Sequence, residues 1–154
     1  MNNELMFSSQ STQWNTPEAL FNALKDEFDF TLDPCPSNPL IDGLSIQWEE
    51  TTFINPPYKR GIIDKWIKKA YESALNGFTM ILLIPARTDT AFWHNYVMKA
   101  SEIRLIKGRL HFSGHKTGAP FPSAIVIFKG GERQCNPRVL PADKLGRVIS
   151  TRAL

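Results

Sequence analysis

The sequence is poor in cysteine and contains no long run of apolar residues. Its two cysteines, Cys35 and Cys135, are 100 residues apart. This spacing matches no zinc or redox motif and is typical of a protein from a reducing cytoplasm. No stretch approaches the ~20 apolar residues that span a bilayer, and residues 1–10 lack the basic and apolar regions of a secretory signal. We therefore expect a cytoplasmic protein without a membrane segment.

Basic residues are almost absent from the first third of the chain. Residues 1–50 hold one basic residue, Lys25, and nine acidic ones, whereas residues 51–154 hold seventeen basic and six acidic residues. The two parts carry net charges of −8 and +11. This division is expected when one part faces a polyanion while the other packs or faces a cofactor. Solvated surface lysines are the alternative interpretation of the basic part.

A short apolar stretch ends in a double proline. Residues 51–54 are β-branched or aromatic, which predicts a buried strand, and Asn55-Pro56-Pro57-Tyr58 follows. Proline cannot donate to a sheet ladder and holds the preceding residue extended. The turn therefore offers the Asn55 side-chain oxygen and the Pro56 carbonyl at a strand's carboxyl end, where open α/β sheets bind ligands. Two such acceptors suit a planar amino group, and Tyr58 offers a stacking face worth about 1–3 kcal/mol for a base.

A plain turn after a core strand is the alternative, but the flanking motifs favour a functional one. The tetrapeptide resembles the catalytic motif of the S-adenosylmethionine-dependent amino methyltransferases. The ordered set that resembles the small phage-type DNA N6-adenine methyltransferases adds Gln13-Trp14-Asn15-Thr16-Pro17, Asp33-Pro34-Cys35, Asp42-Gly43-Leu44, Pro85-Ala86-Arg87-Thr88 and Phe121-Pro122-Ser123-Ala124. The chain departs from many methyltransferases in one feature, because no glycine-rich F-x-G-x-G turn follows its first predicted strand.

The resemblance implies a compact Rossmann-like methyltransferase fold, an α/β fold with a mainly parallel sheet. The alternation of predicted helices and strands favours the same class, and 154 residues suffice for one domain with a sizeable core. We divide the chain into a flexible N-terminal segment, 1–12, a methyltransferase domain, 13–128, and a basic C-terminal tail, 129–154. The tail is either a loose arm on phosphates or a solvated terminus.

The implied reaction is methyl transfer from S-adenosylmethionine to the N6 amino group of adenine in double-stranded DNA. The base would be flipped out of the duplex. The expected setting is the bacterial cytoplasm, with phage or prophage origin as an option; the oligomeric state stays open, with a monomer favoured. His111 and His115 have no partners at metal-ligand spacing, so no metal is expected. Other acceptors remain open, namely guanine in RNA, cytosine N4 or a protein glutamine amide. A nucleic-acid-binding module that no longer binds the cofactor also remains open.

Candidate cofactor contacts come from three stretches. The resemblance makes Trp14, Thr16 and Pro17 one wall of the cofactor pocket, although Trp14 can also pack onto the helix that follows. A carboxylate at the end of a strand suits a ribose hydroxyl or a methionine ammonium, which makes Asp33 and Asp42 candidates. Turn capping is the alternative for both. The motif asparagine is expected to contact the cofactor as well as the amino group.

Candidate DNA contacts are basic or aromatic and follow the predicted strands. One set lies directly after the motif, one follows the next strand, and one lies in or beside a glycine-rich loop, 113–120. For Arg87 a surface position is the alternative, and for the loop an ordinary hairpin. The expected DNA-binding residues are Lys59, Arg60, Arg87, Arg109, His115, Lys116 and Phe121.

The apolar periodicity predicts the secondary structure. Helices are expected over about 17–28, 62–75 and 89–99, and strands over 30–32, 51–54, 78–84, 101–107, 110–112 and 124–128. The first helix is expected to have Thr16 as its N-cap and Pro17 as its first residue.

Overall fold

The computed structural model describes residues 14–37, 39–131 and 137–150. The elements, in chain order, are α1 (Glu18–Phe28), β1 (Thr51–Ile54), α2 (Ile63–Leu75), β2 (Thr79–Pro85), α3 (Ala91–Asn95), a 3₁₀ turn (Val97–Lys99), β3 (Glu102–Ile106), β4 (Ser123–Phe128) and β5 (Arg138–Ala142). Within the described ranges, no helix is long and apolar enough to cross a membrane.

The five strands form one mixed sheet in the order β1-β2-β4-β3-β5. β1 pairs with β2 and β3 with β5 in parallel, whereas β4 is antiparallel to β2 and β3. Four of the five strands therefore run in one direction, which confirms the predicted α/β fold with a mainly parallel sheet. Because β4 is reversed, its first residue, Ser123, pairs with Pro85 and lies at the carboxyl ends of β1 and β2.

Residues 30–32 extend the sheet beyond β1. Leu32 and Thr52 form a single parallel bridge, and the backbone N–H of Phe53 donates to the carbonyl of Leu32 at 3.0 Å. The predicted strand is thus reduced to one bridge, but its direction is that of β1. Asp33 consequently leaves the sheet at the same edge as Asn55, which is the edge where the predicted site residues meet.

Apolar side chains cover both faces of the sheet, as the alternation of side chains along a strand requires. On one face, Trp66 and Ile67 of α2 pack in a cluster with Leu82 of β2. On the other face, Leu20 and Leu24 of α1 belong to a second cluster that contains β-strand residues and the aromatic side chains after β3. Helices on both faces of a mainly parallel sheet are the Rossmann-like arrangement that was expected.

Two predicted elements differ from the structure. The helix expected to reach residue 99 ends at Asn95 and continues as the 3₁₀ turn. Aromatic and β-branched residues are weak helix formers, and the turn lets Val97 and Ala100 both be buried. Residues 110–112 form no strand; instead, the carbonyl of Leu110 accepts a hydrogen bond from Ala119.

The described part of the C-terminal tail belongs to the sheet. β5 pairs with β3, and its Leu140 and Ala142 are buried. Residues 138–142 are therefore not a loose arm, although their basic flanks and Pro141 gave no strand signal; proline is tolerated here because β5 is an edge strand. Residues 1–12, 132–136 and 151–154 lie outside the described residues. The division of the chain into three segments stays a prediction.

Candidate active site

Asn55 follows β1 and is 8% exposed. Its Nδ2 donates to the carbonyl oxygen of Trp14 and, at 2.9 Å, to Oγ1 of Thr16. A carbonyl can only accept, so the nitrogen must face Trp14, and this fixes the orientation of the amide. Oδ1, on the other side, is buried without a hydrogen-bond partner in the part of the chain that is described. A buried acceptor left unpaired costs about 1–3 kcal/mol, which marks this oxygen as one prepared for a ligand.

A cavity of about 450 Å³ lies beside this asparagine. Its walls come from the segment that precedes and starts α1, from the stretch after residues 30–32, and from the motif itself. Trp14, Thr16, Asp33 and Asn55 all line it. The structure thus brings together four of the six residues expected to bind the cofactor, in a cavity of the size that small-molecule sites have.

Two acidic residues line this cavity, Glu18 and Asp33. Glu18 is exposed, whereas Asp33 is partly buried. Burial raises its pKa, while the hydrogen bond from the N–H of Cys35 to Oδ1, 3.1 Å long, acts in the opposite direction. Burial and the neighbouring charge of Asp33 raise the pKa of the Cys35 thiol to about 11. At neutral pH the thiol is therefore protonated and is not a nucleophile.

Tyr58 lies on the other side of the motif. Its hydroxyl donates to the carbonyl of Leu83 at 2.9 Å, and burial raises its pKa well above the usual value. The ring meets Phe112 and Phe121 edge-on, with centroids 6.1 and 5.6 Å apart. Tyr58 is thus held as a neutral ring of fixed orientation and does not exchange a proton near neutral pH.

A second cavity, of about 570 Å³, is lined by Tyr58 together with Arg60, Arg87 and Phe92. Arg60 comes from the loop after β1 and Arg87 from the loop after β2, so both stand at the carboxyl edge of the sheet. The Arg87 guanidinium lies 5.8 Å from the ring centroid of Phe121. The tetrapeptide therefore lines two cavities. The first contains the carboxylates of Glu18 and Asp33, and the second contains the guanidinium groups of Arg60 and Arg87 together with the carboxylate of Asp64.

The other predicted DNA contacts fall into two groups. Lys59, Arg109 and Lys116 are exposed and form no ion pair among the residues described. His115 is half-buried and stacks on the ring of Trp14, with centroids 4.3 Å apart. Phe121 is 6% exposed and packs in the same aromatic cluster, so it is part of the core beneath the site.

Two predicted cofactor contacts do not line the first cavity. Pro17 is the N-cap of α1, not its first residue. Asp42 is exposed, and its Oδ1 accepts the backbone N–H of Leu44 at 3.0 Å, which is the turn-capping role. The adjacent Gly43 explains this motif, because a Cβ there would lie 1.9 Å from the carbonyl oxygen of Pro34. The absent side chain lets this turn pack directly behind Asp33.

Several residues that line the first cavity were not predicted as site residues, among them Glu18, Phe21 and Cys35. Phe21 and Glu18 line the first cavity from α1. Cys35 lines it beside Asp33. A signal was present for Phe21, because it lies next to Leu20 and therefore at the margin of the helix face that Leu20 and Leu24 bury.

Comparison with known proteins points to one family. Residues 5–134 match the DNA N-6-adenine-methyltransferase (Dam) family. Among solved structures, a candidate class I S-adenosylmethionine-dependent methyltransferase from Listeria monocytogenes is similar, at 14% identity and a TM-score of 0.43. The match covers 66% of this chain and 39% of that protein, so the chain spans about two fifths of its length. No curated protein matches the chain.

Proposed function

The chain belongs to the DNA N-6-adenine-methyltransferase family, and from this premise we propose that it transfers a methyl group from S-adenosylmethionine to N6 of adenine in duplex DNA. The observation that carries the proposal is the buried Oδ1 of Asn55, which has no hydrogen-bond partner among the residues that the structure describes. An exocyclic amino group is a donor that matches this acceptor. The family implies S-adenosylmethionine as the cofactor.

The first cavity fits this cofactor in chemistry as well as in size. The carboxylate of Asp33 suits an ammonium group or ribose hydroxyls, and the rings of Trp14 and Phe21 offer apolar walls for a base. When bound, the cofactor supplies an electrophilic methyl group on a sulfonium. We assign Trp14, Thr16 and Asp33 to this cavity and leave Asp42 out, because Asp42 is exposed and does not line the cavity.

The residues of the motif act by holding the amino nitrogen. Its lone pair is delocalised into the adenine ring, which makes it a poor nucleophile. Asn55 Oδ1 and the carbonyl of Pro56 accept its two N–H bonds, which favours a tetrahedral nitrogen with a lone pair free for in-line attack. Tyr58 holds the flipped base by stacking, and the proton leaves after transfer. Catalysis is then positioning and desolvation, in agreement with the protonated Cys35 thiol.

The second cavity is the DNA side of the proposed site. Arg60 and Arg87 line it without an ion pair among the described residues, so both cations are available to phosphates. A base reaches this cavity only if it leaves the duplex stack, and extrusion of the target is the general solution for enzymes that modify a base. Neutral Tyr58 and Phe92 provide apolar surface for it.

The direct test is transfer of labelled methyl groups to unmethylated duplex DNA, followed by nucleoside analysis by mass. N6-methyladenine is the expected product. Another methylated base, or transfer to RNA or protein only, would replace adenine as the acceptor while keeping the enzyme class. Absence of cofactor binding in a titration would contradict the enzyme proposal and favour the nucleic-acid-binding module.

Replacement of Asp33 by asparagine is expected to raise the stability of the cofactor-free protein and to lower its affinity for the cofactor. Since burial raises the pKa of Asp33 above its unfolded value, the ionised carboxylate costs stability at neutral pH. That cost disappears as pH falls through the raised pKa. The Asp33→Asn apoprotein should therefore be more stable than wild type at pH 7, with no difference below about pH 4. Thermal unfolding from pH 3 to pH 8 measures this.

The same variant should bind the cofactor about 10-fold more weakly at pH 7, because a hydrogen bond to a charged group is worth about 1.5–3 kcal/mol. Wild-type affinity should fall as pH decreases through the raised pKa of Asp33, and the variant should lack this dependence. Asp42→Asn is the matched control, since it keeps the turn-capping oxygen and lies off the cavity. Equal effects of the two substitutions on calorimetric affinity would exclude Asp33 as a contact.

Loss of one arginine from the second cavity should weaken DNA binding to a similar extent for every DNA sequence, because phosphate contacts do not depend on the bases. Each phosphate contact contributes about 0.9 to the slope of log affinity against log salt, so Arg60→Gln and Arg87→Gln should each lower the slope by about 1. The control is Lys68→Gln, on the solvent side of α2, where Lys68 pairs with Glu72 at 3.8 Å. Fluorescence anisotropy at several salt concentrations measures the slopes. Unchanged slopes in both arginine variants would remove these residues from the DNA interface.

A further inference from the structure

We infer that Thr16 is a positioning residue that locks the amide of Asn55 with its oxygen toward the amino group. This inference rests on the function proposed above, since it assigns a role within the same site. The resemblance to the methyltransferases places Thr16 in the wall of the cofactor pocket. The structure gives its hydroxyl oxygen a partner of its own, the Nδ2 of Asn55 at 2.9 Å.

The hydroxyl of Thr16 is available because α1 does not use it. Threonine before a helix is a strong N-cap candidate, yet α1 begins at Glu18 with Pro17 as N-cap and no side-chain capping bond. The oxygen instead accepts from Asn55, while the hydroxyl hydrogen makes no hydrogen bond among the described residues. That hydrogen can be donated to a group in the first cavity, which Thr16 lines. Donation would polarise the hydroxyl and strengthen it as an acceptor.

The two N–H bonds of the Asn55 amide have separate acceptors, and this determines the loss expected without Thr16. The carbonyl of Trp14 accepts one and Thr16 Oγ1 the other. Without the hydroxyl, Trp14 alone still disfavours the flipped amide, in which two oxygens would face each other. The amide then becomes looser but is not inverted. The expected effect is a slower chemical step with an intact acceptor, which is smaller than the effect of removing Asn55 itself.

The segment that carries Thr16 is held in place from the glycine-rich loop. The backbone N–H of Ser113 donates to the carbonyl of Asn15 at 3.0 Å, and its hydroxyl donates to the carbonyl of Thr16 at 3.3 Å. The stack of His115 on Trp14 adds a third contact. Thr16 therefore has a fixed position relative to Asn55, as an orienting contact requires.

The test compares Thr16→Val, which keeps the shape and removes the hydroxyl, with Thr16→Ser, which keeps it. Single-turnover transfer at saturating cofactor and DNA should be about 10-fold slower in Thr16→Val and within about threefold of wild type in Thr16→Ser. Because both rates are measured at saturating cofactor, any loss of cofactor affinity in Thr16→Val does not enter the comparison. A Thr16→Val rate equal to wild type, or a deficit that disappears at saturating cofactor, would overturn the inference and leave Thr16 a cofactor contact only.

A second measurement needs no activity and keeps the inference separate from the proposed function. The side-chain NH₂ signals of Asn55, assigned by their loss in Asn55→Ala, should be protected from hydrogen exchange in wild type and in Thr16→Ser. In Thr16→Val and Thr16→Ala one of the two protons should exchange at least about 10-fold faster. Equal exchange in all four proteins would overturn the lock, whether or not the protein methylates adenine. Failure to methylate with the protection pattern intact would overturn only the proposed function.

Discussion

Asn55→Ala should abolish methyl transfer, with a loss of about 10³-fold or more and an intact fold. The substitution removes an oxygen at the carboxyl end of β1 that is buried, oriented and without a hydrogen-bond partner among the described residues. Removal of a single preorganised group that stabilises developing charge typically costs 10²- to 10³-fold. Here the alanine also removes the hydrogen bonds that join the motif to Trp14 and Thr16. The expected loss is therefore at the upper end of that range or beyond it.

The fold should tolerate this change because the side chain lies at the end of a strand and carries an unpaired polar atom that alanine eliminates. Single-turnover kinetics, cofactor calorimetry and thermal unfolding on one preparation separate catalysis from binding and stability. Asn76→Ala is the matched control: Asn76 is exposed after α2, at the opposite edge of the sheet. Activity within tenfold of wild type in Asn55→Ala would contradict the assignment of the motif.

Features that depend on neighbouring residues could be predicted from the sequence. The strand over 51–54 was predicted with the bounds that the structure has, because β-branched residues before a double proline are a local signal. The same locality applies to α2, which begins at Ile63, one residue after its predicted start. The position of Asn55 at a carboxyl edge followed from these two elements. This is why the acceptor pair could be proposed without any structure.

Features that depend on distant residues could not be predicted in this way. The local signal at Thr16 favours a helix cap, but its hydroxyl binds Asn55, 39 residues away in the chain. The direction of β4 and the existence of β5 depend on their pairing with β3. No local sequence pattern in either strand indicates that pairing. Asp33 and Asp42 each accept a backbone N–H from the residue two positions ahead, and only the fold places Asp33 in the first cavity and leaves Asp42 exposed.

Arg104→Met should have the largest effect on stability, about 3–5 kcal/mol in the free energy of unfolding, because it leaves a buried carboxylate without its cation. The Arg104 side chain is 6% exposed and that of Glu102 is 11% exposed, with Nε and Oε1 2.6 Å apart. Burial lowers the pKa of Arg104, but hydrogen bonds and charge from Glu27 and Glu102 raise it more, so the guanidinium stays charged.

The pair with Glu102 accounts for most of this effect. The Glu27 side chain is 41% exposed, so solvent screens its contribution and exposed pairs are worth about 0–1 kcal/mol. The third partner, the carbonyl of Gly146 at 3.0 Å, joins β3 to the turn that follows β5. Methionine keeps the apolar stem of the side chain and removes the guanidinium, including its contact with Phe28, whose ring centroid lies 5.4 Å from the guanidinium carbon.

Urea unfolding of Arg104→Met measures the effect, with Arg147→Met as control. Arg147 forms an exposed pair with Asp143, 64% and 27% exposed, so its loss should cost less than about 1 kcal/mol. Adding Glu102→Gln to Arg104→Met should recover part of the stability, because a neutral amide needs no buried cation. If the double variant is less stable than Arg104→Met by the full cost of Glu102→Gln alone, the two groups are not coupled. Arg104 would then stabilise the fold through packing, and its charge would not be what links α1, β3 and the segment after β5.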